Sequence, residues 1–207
     1  MTPRLIALVA LLAGFATEVA AQTAQPTPPP PPTRLRGTIA ALDGNVVTIT
    51  TREGTTEKVK LADNWSVLVV APITLAEVKK DAYVGIATLK GPDGAMHALE
   101  VLVFPENMRG AGEGHYAWDL QPNSMMTNAN VSAVVAGSDA TTLTLVYKTG
   151  EQVIKVGPNT PIVTFQPGMR ELAKPGAKLI VTATRQPDGS LTAARLAIGK
   201  DGMMPPM

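Results

Sequence analysis

Gly37-Thr38-Ile39-Ala40-Ala41-Leu42-Asp43-Gly44-Asn45-Val46-Val47-Thr48-Ile49 is the stretch whose reading decides the fold. Its first half alternates, with Ile39 and Ala41 facing one way and Thr38 and Ala40 the other. Asp43-Gly44 is a hairpin turn signal, and Val46 to Thr51 returns as a β-branched strand. Downstream, Gly54 marks another turn, Glu57 to Leu61 resumes the alternation, and Ser66 to Val70 is a further apolar run. Thr74-Leu75-Ala76-Glu77 spells a capping box and predicts a short helix ending near Lys80-Asp81. Val84 to Leu89 and His97 to Phe104 follow, joined through a Pro92-Asp93-Gly94 turn. Strands in this number, with a helix between the third and fourth, give the order of an OB-type barrel.

The unit is written twice. Val78 to Ala98 matches Ala173 to Ala193 at a constant offset of 95, with Lys79 on Lys174, Ala82 on Ala177 and Pro92-Asp93-Gly94 on Pro187-Asp188-Gly189. Pro175-Gly176 stops the second helix. Upstream, Gly37 to Leu42 corresponds loosely to Val131 through Ala136, and Val46 to Ile49 to Thr142 through Leu145. A repeat of this length is too long for a solenoid unit and suits a small domain or half of a joint barrel. The expected fold is all-β: two tandem small OB-like barrels, each with one short helix, at residues 34–106 and 128–202. The alternative is two halves of one larger β barrel or sandwich.

Met1 to Ala21 reads as a secretory signal peptide, with Arg4 as the positive n-region, Leu5 to Phe15 as the apolar run and Val19-Ala20-Ala21 for cleavage. The implied location is periplasmic or otherwise exported, with no membrane span after signal cleavage. Residues 22–33 form a Pro-rich linker, and Pro28 to Pro32 impose polyproline II, so that a dozen residues reach roughly 35 Å. At the other end, residues 203–207 are a Met/Pro tail that reads as a frayed terminus.

Composition excludes several classes of function. With no cysteine there are no disulfides, thiol nucleophiles or Cys-ligated metals. A net charge of +1 and 4% aromatic residues argue against nucleic acid as a partner, which calls for a basic groove with stacking rings. His97 and His115 are the two histidines, so no three-histidine site forms in one chain. His97 falls on the strand face of Leu99, Val101 and Val103, a structural position. No nucleophile elbow or phosphate-cradling glycine loop is present, and the chain reads as no enzyme.

Residues 107–127 neither alternate nor repeat. The surrounding stretch, Phe104 to Asn128, is too apolar for a solvated linker, at Tyr116, Trp118, Leu120, Met125 and Met126, and is expected to pack on the barrels. Three readings fit it. A metal site would use Glu113, His115 and Asp119, with Glu106 spare and Met125 and Met126 assisting, and would suit copper or zinc. A ligand platform would stack a glycan or peptide on Tyr116 and Trp118. In the third reading these aromatic residues plug the groove between barrels and His115 is an ordinary surface residue. His115, Asp119 and Ser124 could also be placed as a catalytic triad, but nothing in their spacing demands it. The expected role is a non-enzymatic binding or interaction protein of the cell envelope. Its partner would be an envelope protein, a glycan or a metal ion, or its role would be purely structural.

The opening Gly37 to Ile49 resembles the G-T-(V/I)-x-x-(V/L)-D-G-x-x-(V/L)-T-(V/I) start of a family of bacterial exported OB-like domains of unknown function. Leu102 to Leu120 is similar to a two-repeat proteobacterial subgroup of that family, some of whose members are labelled metal transporter permeases. The resemblance implies a β-barrel fold and a periplasmic location, and no activity.

Overall fold

The computed structural model describes residues 31–207; the signal peptide and most of the Pro-rich linker read from the sequence lie outside them. Among the described residues there are twelve strands: β1 (Thr33–Asp43), β2 (Val46–Thr51), β3 (Thr56–Pro72), β4 (Tyr83–Lys90), β5 (Met96–Val103), β6 (Gly114–Ala117), β7 (Met125–Ala136), β8 (Thr141–Tyr147), β9 (Gly150–Val156), β10 (Ile162–Gly168), β11 (Lys178–Arg185) and β12 (Leu191–Gly199). The expected helices are single 3-10 turns, Leu75–Glu77 and Arg170–Leu172, at equivalent places in the two repeats. Glu77 reaches back to the Thr74 N–H at 2.7 Å, which is the capping-box contact.

The chain is all-β and closes two five-stranded rings, but the rings do not follow the repeats. Barrel one runs β1-β2-β3-β12-β11 and back to β1. Barrel two runs β4-β5-β9-β8-β7 and back to β4. In each ring every pairing is antiparallel except one, β3 with β12 or β5 with β9. The assignment of residues 34–106 to one barrel and 128–202 to the other is therefore corrected. Each barrel takes three strands from one repeat and two from the other, an exchange of equivalent elements within one chain.

The cause is visible in β3. Glu57 to Leu61 and Ser66 to Val70, separate runs in the sequence, are one strand of 17 residues. It pairs with β12 from Val59 to Val70, with an irregularity between Leu61 and Ser66, and carries the chain out of barrel one before the turn at Leu75–Glu77. The return passage is β10, which pairs antiparallel with β3 and parallel with β5 and so joins the two rings.

The exchange preserves a pseudo-twofold relation. Ile39 N–H donates to Ala177 O at 2.9 Å and Gly176 N–H to Ile39 O at 2.8 Å; Val131 with Ala82 and Asp81 repeats both bonds at the same lengths. This register sets Ile39 on Val131, two residues away from the looser sequence correspondence, and so sets Gly37 on Ala129 and Arg36 on Asn128. A bulge at Ala40 leaves Ala41 exposed rather than beside Ile39, and Ser132 sits at the matching bulge.

Two cores follow. Ile39, Val47, Ile49, Leu179 and Leu196 centre barrel one; Ile86, Val101, Val131, Leu143 and Leu145 centre barrel two. A third cluster, Val70, Leu102, Val163, Ile180 and Met207 with Phe104 and Phe165 against it, lies between them. The Met/Pro tail belongs to this third cluster instead of fraying: Met207 is buried and its main-chain oxygen accepts from Arg36 Nε at 2.6 Å. Gly199 makes the tail's return possible, since a Cβ there would sit 1.7 Å from Met203 O.

Candidate ligand-binding cavity

Strand pairing places a cavity of about 320 Å³ beside the third cluster, lined from both barrels. Leu68, Leu102, Phe104, Phe165, Met126 and Ile180 supply apolar walls. The aromatic side is a chain of tilted contacts, Tyr83 to Phe104 at 5.3 Å and Phe104 to Phe165 at 6.1 Å. Polar groups interrupt it at Glu100, Asn128, Trp118, Arg34 and Arg195.

Glu100 is fully buried and neither carboxyl oxygen has a hydrogen-bond partner. A β5 bulge accounts for its orientation. Pairing with β4 passes from Ala87–Glu100 to Thr88–Ala98, so Leu99 is an extra residue. Met96 and Ala98 pack on the core of barrel two, and past the bulge Val101 and Val103 take over that face. Glu100 and Leu102 are thereby turned outward into the cavity. Burial pushes the Glu100 carboxyl up to about 8, against the opposing field of Arg36, so it is largely uncharged at neutral pH. The same bulge separates His97 from the face of Val101 assigned to it above. His97 lies instead at the surface, with Nε2 2.9 Å from Asp93, which also accepts from Lys155 Nζ at 2.8 Å.

Asn128, on β7, donates through Nδ2 to Tyr116 Oη at 3.1 Å and to Ala111 O at 3.2 Å, which fixes the amide and leaves Oδ1 unpartnered. Gly85 keeps the space in front of it: a Cβ there would lie 2.6 Å from Asn128 Oδ1 and 3.1 Å from Phe104. Trp118 is half-buried, its Nε1–H buried and unpartnered. The Arg34 guanidinium covers one face of the indole at 3.8 Å. Asp119 binds Arg36 at 2.7 Å and Arg34 at 3.5 Å. Burial pushes the Asp119 carboxyl up, but the Arg36 hydrogen bond and the charges of both arginines outweigh it and hold the group below the usual range.

The residues proposed for a metal are not brought together. Glu113 accepts from the Lys148 backbone N–H at 3.0 Å. His115 Nδ1 lies 2.8 Å from Thr127 Oγ1, its ring stacks near Tyr147, and burial pulls its pKa down. Asp119 belongs to the arginines, and the spare Glu106 grips Arg109 with both oxygens, at 2.6 and 2.7 Å. Met125 is half-buried while Met126 lines the cavity. No group of three or more acidic or histidine side chains able to hold a metal occurs among the described residues. The physical reason is the pairing of β6 with β7, His115 opposite Thr127, which spends the stretch on strand hydrogen bonds. Ser124 is likewise used locally, donating to the carbonyls of Gln121 and Trp118 in the turn before β7. Of the platform pair, Tyr116 accepts from Asn128 through its hydroxyl and meets Trp118 edge-on at 6.1 Å, and Arg34 caps one face of Trp118.

Sequence reasoning missed Glu100, Arg34, Asn128 and Arg195. One signal was present: Glu100 is the acid inside the apolar stretch 98–104, and its repeat partner is Arg195. No family model, curated protein or solved structure matches the chain. The resemblance to exported OB-like domains rests on the residues quoted for it.

Proposed function

We propose that this is a non-enzymatic binding protein of the cell envelope, and that its ligand is a small organic molecule held in the inter-barrel cavity. One observation carries the reading. The four buried side-chain polar atoms without a partner among the described residues are both Glu100 oxygens, Trp118 Nε1 and Asn128 Oδ1, and all belong to residues lining this one cavity. Buried polar groups are ordinarily satisfied, and leaving one unpaired costs on the order of 1–3 kcal/mol. A concave, mostly apolar space with a few convergent polar atoms is the usual form of a small-molecule site. The signal peptide read from the sequence supports the envelope as its place of work.

The test is thermal shift with compounds of about eight to fourteen non-hydrogen atoms, a size scaled from a benzene-sized cavity of about 150 Å³. A ligand specific to the folded state raises the melting temperature by mass action. Compounds should stabilise the parent and have no effect on Gly85→Leu or Ala197→Leu, which fill the cavity. Equal responses in all three proteins, or none in the parent, reject the site.

A further inference from the structure

The pseudo-twofold relation gives the cavity two equivalent walls with opposite chemistry. Glu100 corresponds to Arg195, Asn128 to Arg36 and Met126 to Arg34. Three arginines lie on or beside one wall; among acidic side chains of the described residues Arg34 and Arg36 share Asp119, and Arg36 also donates to the Met207 main-chain oxygen. Arg195, at the exposed rim, makes no ion pair among the described residues. On the opposite wall Glu100 stands without a partner, and the indole N–H of Trp118 is an unpartnered donor next to Arg34.

Resting on the cavity reading above, we propose that the ligand is an anionic amphiphile, a carboxylate on an apolar acyl or aromatic body. Its head lies toward Arg34, Arg195 and Trp118 Nε1–H; its body lies against Leu102, Phe104 and Phe165. A volume of about 320 Å³ holds roughly a dozen non-hydrogen atoms, again scaling from benzene. In its neutral form Glu100 is a further donor, and an O–H to carboxylate hydrogen bond is among the stronger kinds. A cationic head would instead meet excess positive charge, and an uncharged head would leave Arg195 unanswered.

The groups facing Glu100 are Arg34 and Arg36 on β1, Arg195 on β12, the uncharged Asn128 on β7, and Trp118, with Asp119 behind the arginines. Loss of the Glu100 proton sets a like charge against the ligand. Since that proton leaves near pH 8, carboxylate affinity falls about tenfold between pH 6.5 and pH 9.

Isothermal calorimetry on the purified chain with decanoate, 1-naphthoate, 1-decanol and decylamine tests this. The expected result is acid binding at pH 6.5 at least about tenfold tighter than decanol, with no decylamine binding. Decanoate against naphthoate tells an acyl body from an aromatic one. Glu100→Gln should retain acid binding at pH 9, and Arg195→Ala should weaken the acids while leaving decanol unchanged. Decanol or decylamine binding as tightly as the acids overturns the anionic class and leaves the cavity standing. If no probe binds, and the library above shifts parent and Gly85→Leu alike, the cavity reading falls with it.

Discussion

Glu100 and Arg195 occupy the same place in their repeats, one residue before a core position, Val101 in barrel two and Leu196 in barrel one. Their surroundings differ. Glu100 is sealed in the cavity wall with Leu102 and Phe104 around it, whereas Arg195 sits at the rim and is exposed. The repeat supplies the frame twice over; substitution at matched positions makes one wall cationic and the other uncharged. The matched strand positions give the cavity two comparable walls, and the different residues at those positions give the walls their different polarity.

The comparison depends first on the strand exchange that sets the two walls face to face. Thr38 lies opposite Lys178 in barrel one, whereas barrels closed within each repeat would set Thr38 opposite Tyr83. Thr38→Cys with Lys178→Cys should oxidise to an intramolecular disulfide. Closing so long a loop should stabilise the chain by about 5 kcal/mol in urea melts. Thr38→Cys with Tyr83→Cys should not cross-link. The reverse outcome would restore barrels confined to residues 34–106 and 128–202.

Glu100 comes next. Burial raises its folded-state pKa to about 8, well above the usual carboxylate range, so the native state holds a proton that the unfolded chain releases. The contribution of Glu100 to stability is then highest below about pH 4.5, declines as pH rises toward 8, and levels off beyond, a total on the order of 4–5 kcal/mol. Glu100→Gln should flatten that decline when the two proteins are melted side by side from pH 5 to 8.5. A parent slope equal to the variant's would mean that the acid finds water or a partner on its wall.

A smaller loss is expected behind the other wall. Leu196 is fully buried in barrel one, and Leu196→Ala should cost about 3 kcal/mol through lost burial and a residual cavity. Because the barrels share strands from both repeats, barrel two should unfold in the same transition, read by Tyr147 and Trp65 signals together. Separate transitions would mean that the exchange does not couple them.

The smallest effect concerns a backbone position. Asp81 has φ 68°, where its equivalent Gly176 has φ 88°. Left-handed backbone is cheaper for glycine, so Asp81→Gly should stabilise by about 0.5–1 kcal/mol in the same urea melts. Destabilisation would mean that the Asp81 side chain contributes more than its strained backbone costs.

Much of the frame was legible in the residues. Alternation about Asp43-Gly44 marks β1 and β2, and the match of Val78–Ala98 to Ala173–Ala193 holds in β4 with β11 and β5 with β12. The site was far less legible. Attention to His115, Glu113 and Asp119 followed residue type, since ligating side chains announce themselves by kind. In the fold, each of the three is held by a neighbour that sequence spacing does not reveal, Thr127, Lys148 and Arg36. Glu100 was hidden because a bulge at Leu99 decides which way it faces, and a period-two pattern carries no mark of where a bulge will fall.

Local alternation and turn chemistry by themselves determined that the chain is all-β. Which unit closes with which was decided only in three dimensions. Equivalent strands present the same apolar face at the same register, so the interactions local to each pairing are alike whether β11 and β12 return to their own repeat or cross to the other. The length and direction of β3 and the bridging by β10 break that degeneracy. In doing so they bring Glu100, Asn128, Arg34 and Arg195, far apart along the chain, to the walls of one cavity.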